Sequence, residues 1–265
     1  SSIQTTTPSY PNKFNTPHPV YKIIRKRIQR SSSPYNKSKN TFFKVLGLDK
    51  KELEGIKVLD AGVGPGRHAY IPINNKATFH GVDLSNAVIQ AKNNYSNVSN
   101  ALFVQTDLMK LPYPKNYFDF IYSIGVLHHT PNPKLSFLSL VKHLKPGGSI
   151  AISVYNKGAL LYEYAKRLRK YSVNINHNIL YRICWIACLV LYPIYRIPIL
   201  KLLIYYCPID MNPNFEWRVL NTFDAYSPKY ASTQTWSEVY SWFEEAGLKN
   251  INLQDTASIS LRGWK

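Results

Sequence analysis

The sequence has few cysteines, few acidic residues and no apolar stretch near its first residue. Its 265 residues include three cysteines, Cys184, Cys188 and Cys207. Because neither a second cysteine pair nor a neighbouring histidine completes a ligand set, we expect no metal site and buried, reduced thiols. Without an apolar stretch near Ser1, no secretory signal is visible. We therefore expect a cytoplasmic protein.

The shortage of acidic residues is concentrated in two segments. The chain has 33 Lys and Arg against 15 Asp and Glu, and its net charge is +18. Residues 1–50 contribute +9 and residues 157–206 contribute +7, which leaves +2 for the rest. This asymmetry predicts an anionic partner, either a lipid surface, an acidic or phosphorylated small molecule, or nucleic acid. A general gain in solubility is the alternative interpretation.

Two regions outside the central part of the chain have a composition of their own. Residues 1–20 contain four prolines and predict an irregular tail, whereas residues 21–30 predict a basic helix. Residues 157–215 predict a basic helix at 160–171 and an apolar helix at 183–192, which Pro193 ends. A ten-residue helix rises about 15 Å, half of a bilayer core, so a membrane span is not expected. We predict a lid over the site, with a peripheral membrane contact as the alternative.

Residues 57–70 predict a strand, a tight turn and the start of a helix. Asp60 ends the apolar strand, and Gly62, Gly64 and Gly66 follow at alternate positions. Glycine is needed where φ is positive or where a ligand approaches bare backbone, and the free N–H groups suit a polar ligand. The spacing is neither that of dinucleotide-binding turns nor that of a phosphate-binding loop with its Lys-Ser/Thr pair.

Predicted strands and helices alternate after this turn. The strands are 77–83, 101–107, 117–126 and 149–154, the helices between them include 85–92 and 134–144, and a helix at 235–246 precedes strands at 250–254 and 258–261. Such alternation predicts a parallel, doubly wound α/β sheet with ligands at the carboxyl ends of its strands. Asp60, Asp83 and Asp107 are predicted to lie at that edge.

Five segments give the chain its resemblance to class I S-adenosylmethionine-dependent methyltransferases. These are 58–67, 81–85, 105–112, 118–130 and 144–148, in the order and at the spacing of that family. The resemblance covers residues 55–156, and residues 222–265 also fit. It implies a Rossmann-like sheet of seven strands, the last one antiparallel, with a helical insert after the fifth strand. The implied divisions are a basic arm (1–50), a cofactor-binding core (51–156), the insert (157–215) and the C-terminal part of the core (216–265).

The resemblance also implies the cofactor, S-adenosyl-L-methionine, and a residue set that holds it. Asp60 is expected to organise the turn and to meet the cofactor's amino group, Asp83 the ribose hydroxyls and Asp107 the adenine amino group. Val63 stands where many relatives have Cys, and its side chain need not touch the cofactor. The full predicted set is Asp60, Gly62, Val63, Gly64, Gly66, Arg67, Asp83, Leu84, Asp107, Leu108, Ser123 and Gly125.

The acceptor side is less defined. Residues 123–126 read Ser-Ile-Gly-Val, not the Asn/Asp/Ser-Pro-Pro-Tyr/Phe of enzymes that methylate nucleobase or glutamine amino groups. We predict a small, lipid-linked or sugar-linked acceptor, methylated at oxygen; the alternatives are RNA or other nucleic acid, or a non-catalytic cofactor-binding subunit. His128 and His129 are candidate general bases. The candidate acceptor contacts are Tyr155, Arg218, Tyr226 and Tyr230, with Asp224 and Lys229 nearby.

Overall fold

The structure, a computed structural model, describes Lys39 and residues 42–157, 160–255 and 258–265. The predicted irregular tail (1–20) and basic helix (21–30) lie outside these residues. Residues 42–46 are helical and precede the first strand.

Seven strands form one sheet in the order β3-β2-β1-β4-β5-β7-β6. Strands β1 to β5 run parallel to one another, and β7 runs antiparallel to both β5 and β6. The predicted doubly wound, Rossmann-like α/β fold is thus confirmed. The strands are Lys57–Ala61 (β1), Thr78–Asp83 (β2), Ala101–Gln105 (β3), Phe118–Ile124 (β4), Leu144–Val154 (β5), Lys249–Asp255 (β6) and Ile259–Trp264 (β7).

Side chains cap the first turns of several helices. Asn132 accepts a hydrogen bond from the Leu135 N–H, and Thr235 forms a reciprocal capping box with Glu238. The helices are Tyr70–Asn74 (α1), Ala87–Asn94 (α2), Pro133–Lys142 (α3), Leu160–Ser172 (α4), His177–Tyr195 (α5), Phe215–Tyr226 (α6) and Trp236–Glu245 (α7), with 3-10 turns at Lys50–Leu53, Leu108–Lys110, Leu127–His129 and Leu200–Tyr205.

The sheet is buried on both faces. Successive residues of a strand point to opposite faces, so Leu59 and Ile121 pack with α3 and α7, whereas Val58 and Phe120 pack with residues 42–46, α1 and α2. Strands that are covered on both sides have continuous apolar sequences, which is why the core strands could be predicted from the sequence. The carboxyl edge of this sheet carries the predicted site.

The insert after β5 is a small helical unit with a core of its own. Helix α5 extends over 19 residues and contains Pro193, so the prediction of a ten-residue helix ended by that proline was wrong. Pro193 lies near the end of α5, where its missing N–H removes only one helical hydrogen bond. Helix α6 packs on α4 and α5, which joins the segment after residue 215 to the insert.

Arg262 of β7 anchors the turn before β1 to the sheet. It is 4% exposed, its Nη2 lies 2.6 Å from Glu52 Oε2, and its Nε donates to Ser149 Oγ at 3.1 Å. Arg262→Met should lower the free energy of unfolding by about 1–3 kcal/mol, because the buried Ser149 hydroxyl and the Glu52 carboxylate lose their donors. Urea unfolding measures this loss. Lys76→Met, which breaks an exposed ion pair with Glu54, should leave the unfolding free energy almost unchanged.

Candidate cofactor and acceptor site

The glycine turn after β1 folds over the carboxyl end of β2. The N–H groups of Gly62 and Val63 donate to the Val82 carbonyl at 2.8 and 2.9 Å. Gly62 has a φ of +103°, and a Cβ there would lie 2.2 Å from a Val126 methyl group, so only glycine fits. Gly64 also has a positive φ, but no atom lies within 4 Å of where its Cβ would be. The turn therefore exposes open backbone at Gly64, as ligand binding requires.

Asp83 lies directly beneath that open backbone. Its Oδ2 accepts from the Gly64 N–H at 2.8 Å, and its Oδ1 accepts from the Ser85 N–H at 2.8 Å and hydroxyl at 2.7 Å. A carboxylate offers about four acceptor positions, and the Ser85 hydroxyl can rotate away. Asp83 is thus held in place yet retains acceptor capacity, which suits a pair of hydroxyl groups.

The ends of β2 and β3 add an exposed apolar side chain and a second acid. The Leu84 side chain is 59% exposed at this edge, although it is apolar. Asp107 Oδ1 accepts from the Met109 N–H at 2.9 Å, and no described residue donates to its other oxygen. Leu108 is different, because its side chain lies in the core and only its backbone can serve a ligand. An exposed apolar side chain beside a free carboxylate oxygen suits a flat ring with an amino group.

Asp60 is buried at the end of β1. It is 4% exposed, and the Tyr122 hydroxyl donates to its Oδ2 at 2.9 Å. Burial raises the pKa of Asp60 to about 8; the Tyr122 hydrogen bond opposes this rise and the charge of Asp83 adds to it. A cation brought against Asp60 would favour its ionised form, so the site suits an amino group.

Two further predicted cofactor residues, Ser123 and Arg67, make contacts within the protein. The Ser123 hydroxyl is fully buried and donates to the Ala61 carbonyl at 2.7 Å, so it joins β4 to β1 instead of facing a ligand. Arg67 lies over the Trp217 ring at 5.1 Å, which brings α6 against the glycine turn. The remaining members of the set are Gly66 and Gly125. The Gly66 carbonyl accepts a hydrogen bond from the Tyr95 hydroxyl, and Gly125 has a positive φ with open space where a Cβ would lie.

The two histidines after β4 have different surroundings. His128 is fully buried, stacks on Tyr155 with ring centroids 3.6 Å apart, and has no partner at either ring nitrogen among the described residues. Burial lowers its pKa well below the usual value, and the charges of His129 and Arg169 lower it further. Because it is enclosed, His128 is suited to packing and not to proton transfer with a ligand.

His129 is held in a defined tautomer. Its Nδ1 lies 3.0 Å from the Tyr230 carbonyl, which can only accept, so Nδ1 carries the proton. Burial lowers the pKa of His129, although Asp224 and the Tyr230 carbonyl partly offset this effect. The ring is therefore neutral near pH 7, and its Nε2 lone pair can take a proton.

The insert forms a roof over this part of the edge. The Tyr155 hydroxyl donates to Asp224 Oδ2 at 2.9 Å, and Arg169 of α4 donates to the Ala225 carbonyl at 2.9 Å. Arg169 and Trp217 were not among the predicted site residues. No local pattern marks them, because their positions depend on how α4 and α6 fold back onto the core.

Two predicted acceptor contacts lie inside the insert. The Tyr226 hydroxyl donates to the Pro208 carbonyl at 2.7 Å and the residue is 7% exposed, so its packing role replaces the predicted contact. Arg218 is 5% exposed, its guanidinium lies 3.4 Å from the Tyr192 ring centroid, and its Nε and Nη1 have no partner in the described structure. Tyr230 is 42% exposed near His129 and remains a candidate.

Residues 59–152 match the family model of a methyltransferase domain. The chain is similar to phosphoethanolamine N-methyltransferase 2 of Caenorhabditis elegans, at 32% identity over 108 residues, 39% of this chain and 25% of that protein. It is also similar to a ubiquinone biosynthesis O-methyltransferase of Coxiella burnetii, at 28% identity over 125 residues, 46% of this chain and 53% of that protein. The chain spans about a quarter to a half of the length of the curated relatives that it matches.

A solved S-adenosylmethionine-dependent methyltransferase from Aquifex aeolicus is 16% identical to this chain. The match covers 86% of this chain and 97% of that one, with a TM-score of 0.49.

The residues at the strand ends fit S-adenosyl-L-methionine, the cofactor of class I methyltransferase domains. Asp83 suits its ribose diol, Leu84 and Asp107 suit its adenine, and buried Asp60 suits its amino group. The open backbone at Gly64 leaves room for the chain that joins them.

Proposed function

We propose that this chain, whose residues 59–152 match the methyltransferase-domain family model, is a class I S-adenosylmethionine-dependent methyltransferase that methylates an oxygen of a small, lipid-linked or sugar-linked acceptor. When bound, the cofactor supplies a methyl group activated on a sulfonium. The observation that carries the proposal is the convergence of Asp60, Asp83 and Asp107 on one open edge, next to His129. The chain's own part is to hold the two reactants in line and to remove a proton.

The choice of oxygen rests on the base. A hydroxyl must lose a proton as it is methylated, and His129 presents a neutral Nε2 beside the end of β4. The choice of a small or linked acceptor rests on the insert, because the α4 and α6 contacts close the edge above His129. The relatives differ in acceptor, one being named for nitrogen and another for oxygen, so the acceptor is part of the proposal.

Asp83→Ala should weaken the binding of S-adenosylhomocysteine at least ~100-fold. A charge-assisted hydrogen bond contributes about 1.5–3 kcal/mol, and two ribose hydroxyls would lose their acceptor together. Isothermal titration of the full chain measures the dissociation constant. Glu54→Ala removes an exposed acid from the opposite edge of the sheet and should leave the affinity unchanged.

Two results would contradict the proposal. One is the absence of S-adenosylhomocysteine binding by the folded, unsubstituted chain. The other is failure of labelled S-adenosylmethionine to label any lipid, sugar or small-molecule extract in its presence. Label that appears only in an RNA extract would replace the proposed acceptor with nucleic acid, and its binding should then weaken steeply with salt.

A further inference from the structure

Helix α5 is apolar on both of its sides, but the described residues cover only one of them. Leu180, Cys184 and Cys188 are buried against the rest of the insert. Ile179, Ile183, Ile186 and Val190 repeat at helical spacing on the opposite side and are 47% to 56% exposed. A helix that is apolar all round is normally buried all round or in contact with lipid.

The turn that follows α5 extends this exposed surface. Ile199 is 84% exposed and Leu202 is 66% exposed. These two residues and the four exposed residues of α5 are called the apolar band below. Grouped, exposed apolar side chains of this kind commonly mark an interaction surface.

The charge around the band identifies its partner. Arg182, Arg196 and Lys201 are exposed within the same segment, and no acidic residue occurs between Glu163 and Asp210. A second copy of the chain would bring these cations against one another, and residues 1–38 contain basic but no acidic side chains. Anionic lipid headgroups complement both the cations and the apolar side chains.

The packing of α5 also fixes how it would meet a bilayer. The 19-residue helix is the one helix of the described chain that is long and apolar enough to cross a membrane, judged by length and composition alone. Its buried side is joined to α6, where the Cys188 thiol lies 3.4 Å from the Thr222 hydroxyl. A spanning α5 would have to draw α6 and the buried Arg218 into lipid, which is strongly unfavourable.

We infer that the apolar band docks the chain on an anionic lipid bilayer, with α5 lying in the plane between headgroups and acyl chains. This inference does not rest on the proposed methyl transfer. The insert that forms the roof would then rest on the membrane, where a lipid-linked molecule is concentrated.

Vesicle flotation with the full chain tests the inference. Vesicles of phosphatidylcholine with about a third phosphatidylglycerol should bind the chain at least tenfold more tightly than pure phosphatidylcholine, and 0.5 M salt should weaken this binding, since each nearby cation adds to the attraction. Ile186→Glu combined with Leu202→Glu should reduce binding at least tenfold. Ile89→Glu alters an isoleucine that is 50% exposed on α2 and should not.

Each other outcome decides against the inference. Failure of the folded, unsubstituted chain to float with anionic vesicles would overturn it, and so would equal flotation of the double variant. A concentration-dependent dimer that the double variant abolishes, without vesicle binding, would assign the band to a second copy instead. Circular dichroism of each variant ensures that a loss of binding is not a loss of fold.

Discussion

Asp60→Asn should stabilise the cofactor-free chain at pH 8. The carboxyl is buried at the end of β1, and burial raises its pKa from 3.8 to about 8. In the unfolded chain it would titrate near 4. Asparagine has the same shape and can still accept the Tyr122 hydroxyl, but it has no proton to lose.

The direction of the pH effect follows from the two pKa values. Below about pH 4 both states carry the proton, so Asp60 makes no difference to stability. Between about pH 4 and 8 the unfolded chain releases the proton while the folded chain keeps it, so stability falls as pH rises. Above pH 8 both states are ionised and the effect is constant. Each difference of one between the pKa values contributes about 1.4 kcal/mol, so the ceiling is about 6 kcal/mol.

Urea unfolding of the cofactor-free chain between pH 5 and 8.5 measures this dependence. Asp60→Asn should flatten the fall with pH and gain a few kcal/mol at the upper end, and Glu54→Gln should do neither. Equal pH slopes for Asp60→Asn and the unsubstituted chain would show that Asp60 is ionised when the site is empty. The same variant should bind S-adenosylhomocysteine more weakly, because the amino group loses its counter-charge.

The fold could be predicted because its signals are local. Strands buried on both faces leave continuous apolar runs, and the turn after β1 requires a glycine at Gly62. The insert was harder to predict, because α5 depends on its contacts with α6 as well as on its own Asn176 cap. Pro193 therefore suggested an end that the tertiary packing overrides.

The same division holds for the candidate site. Asp60, Asp83 and Asp107 lie at or just beyond the carboxyl ends of β1, β2 and β3, so the fold alone places them at one edge. The directions of the Ser123 and Tyr226 side chains could not be predicted, because each is set by a hydrogen bond to a carbonyl far away in the sequence. Ser123 donates to the Ala61 carbonyl, and Tyr226 donates to the Pro208 carbonyl. Nothing in the sequence distinguishes the roles of His128 and His129, because their different exposure depends on how the roof packs over them.

His129→Gln should reduce the turnover number about 10²- to 10⁴-fold with little change in cofactor affinity. The expected factor is that of a general base, and glutamine can still donate to the Tyr230 carbonyl in place of Nδ1. Burial lowers the pKa of His129, so activity of the unsubstituted chain should decline only at a pH below about 6.5, the ordinary pKa of histidine. That acid limb should be absent from the variant.

The matched control is His143→Gln. His143 Nδ1 also lies 3.0 Å from a carbonyl, that of Pro114, but at the amino end of β5, away from the site. Initial rates with labelled S-adenosylmethionine and the acceptor found by screening should be unaffected in this control. If His129→Gln and His143→Gln lose the same activity, the loss reflects stability and not proton transfer. If His129→Gln retains full activity with the same pH profile, the acceptor atom needs no base, and a nitrogen or an already acidic hydroxyl becomes the better assignment.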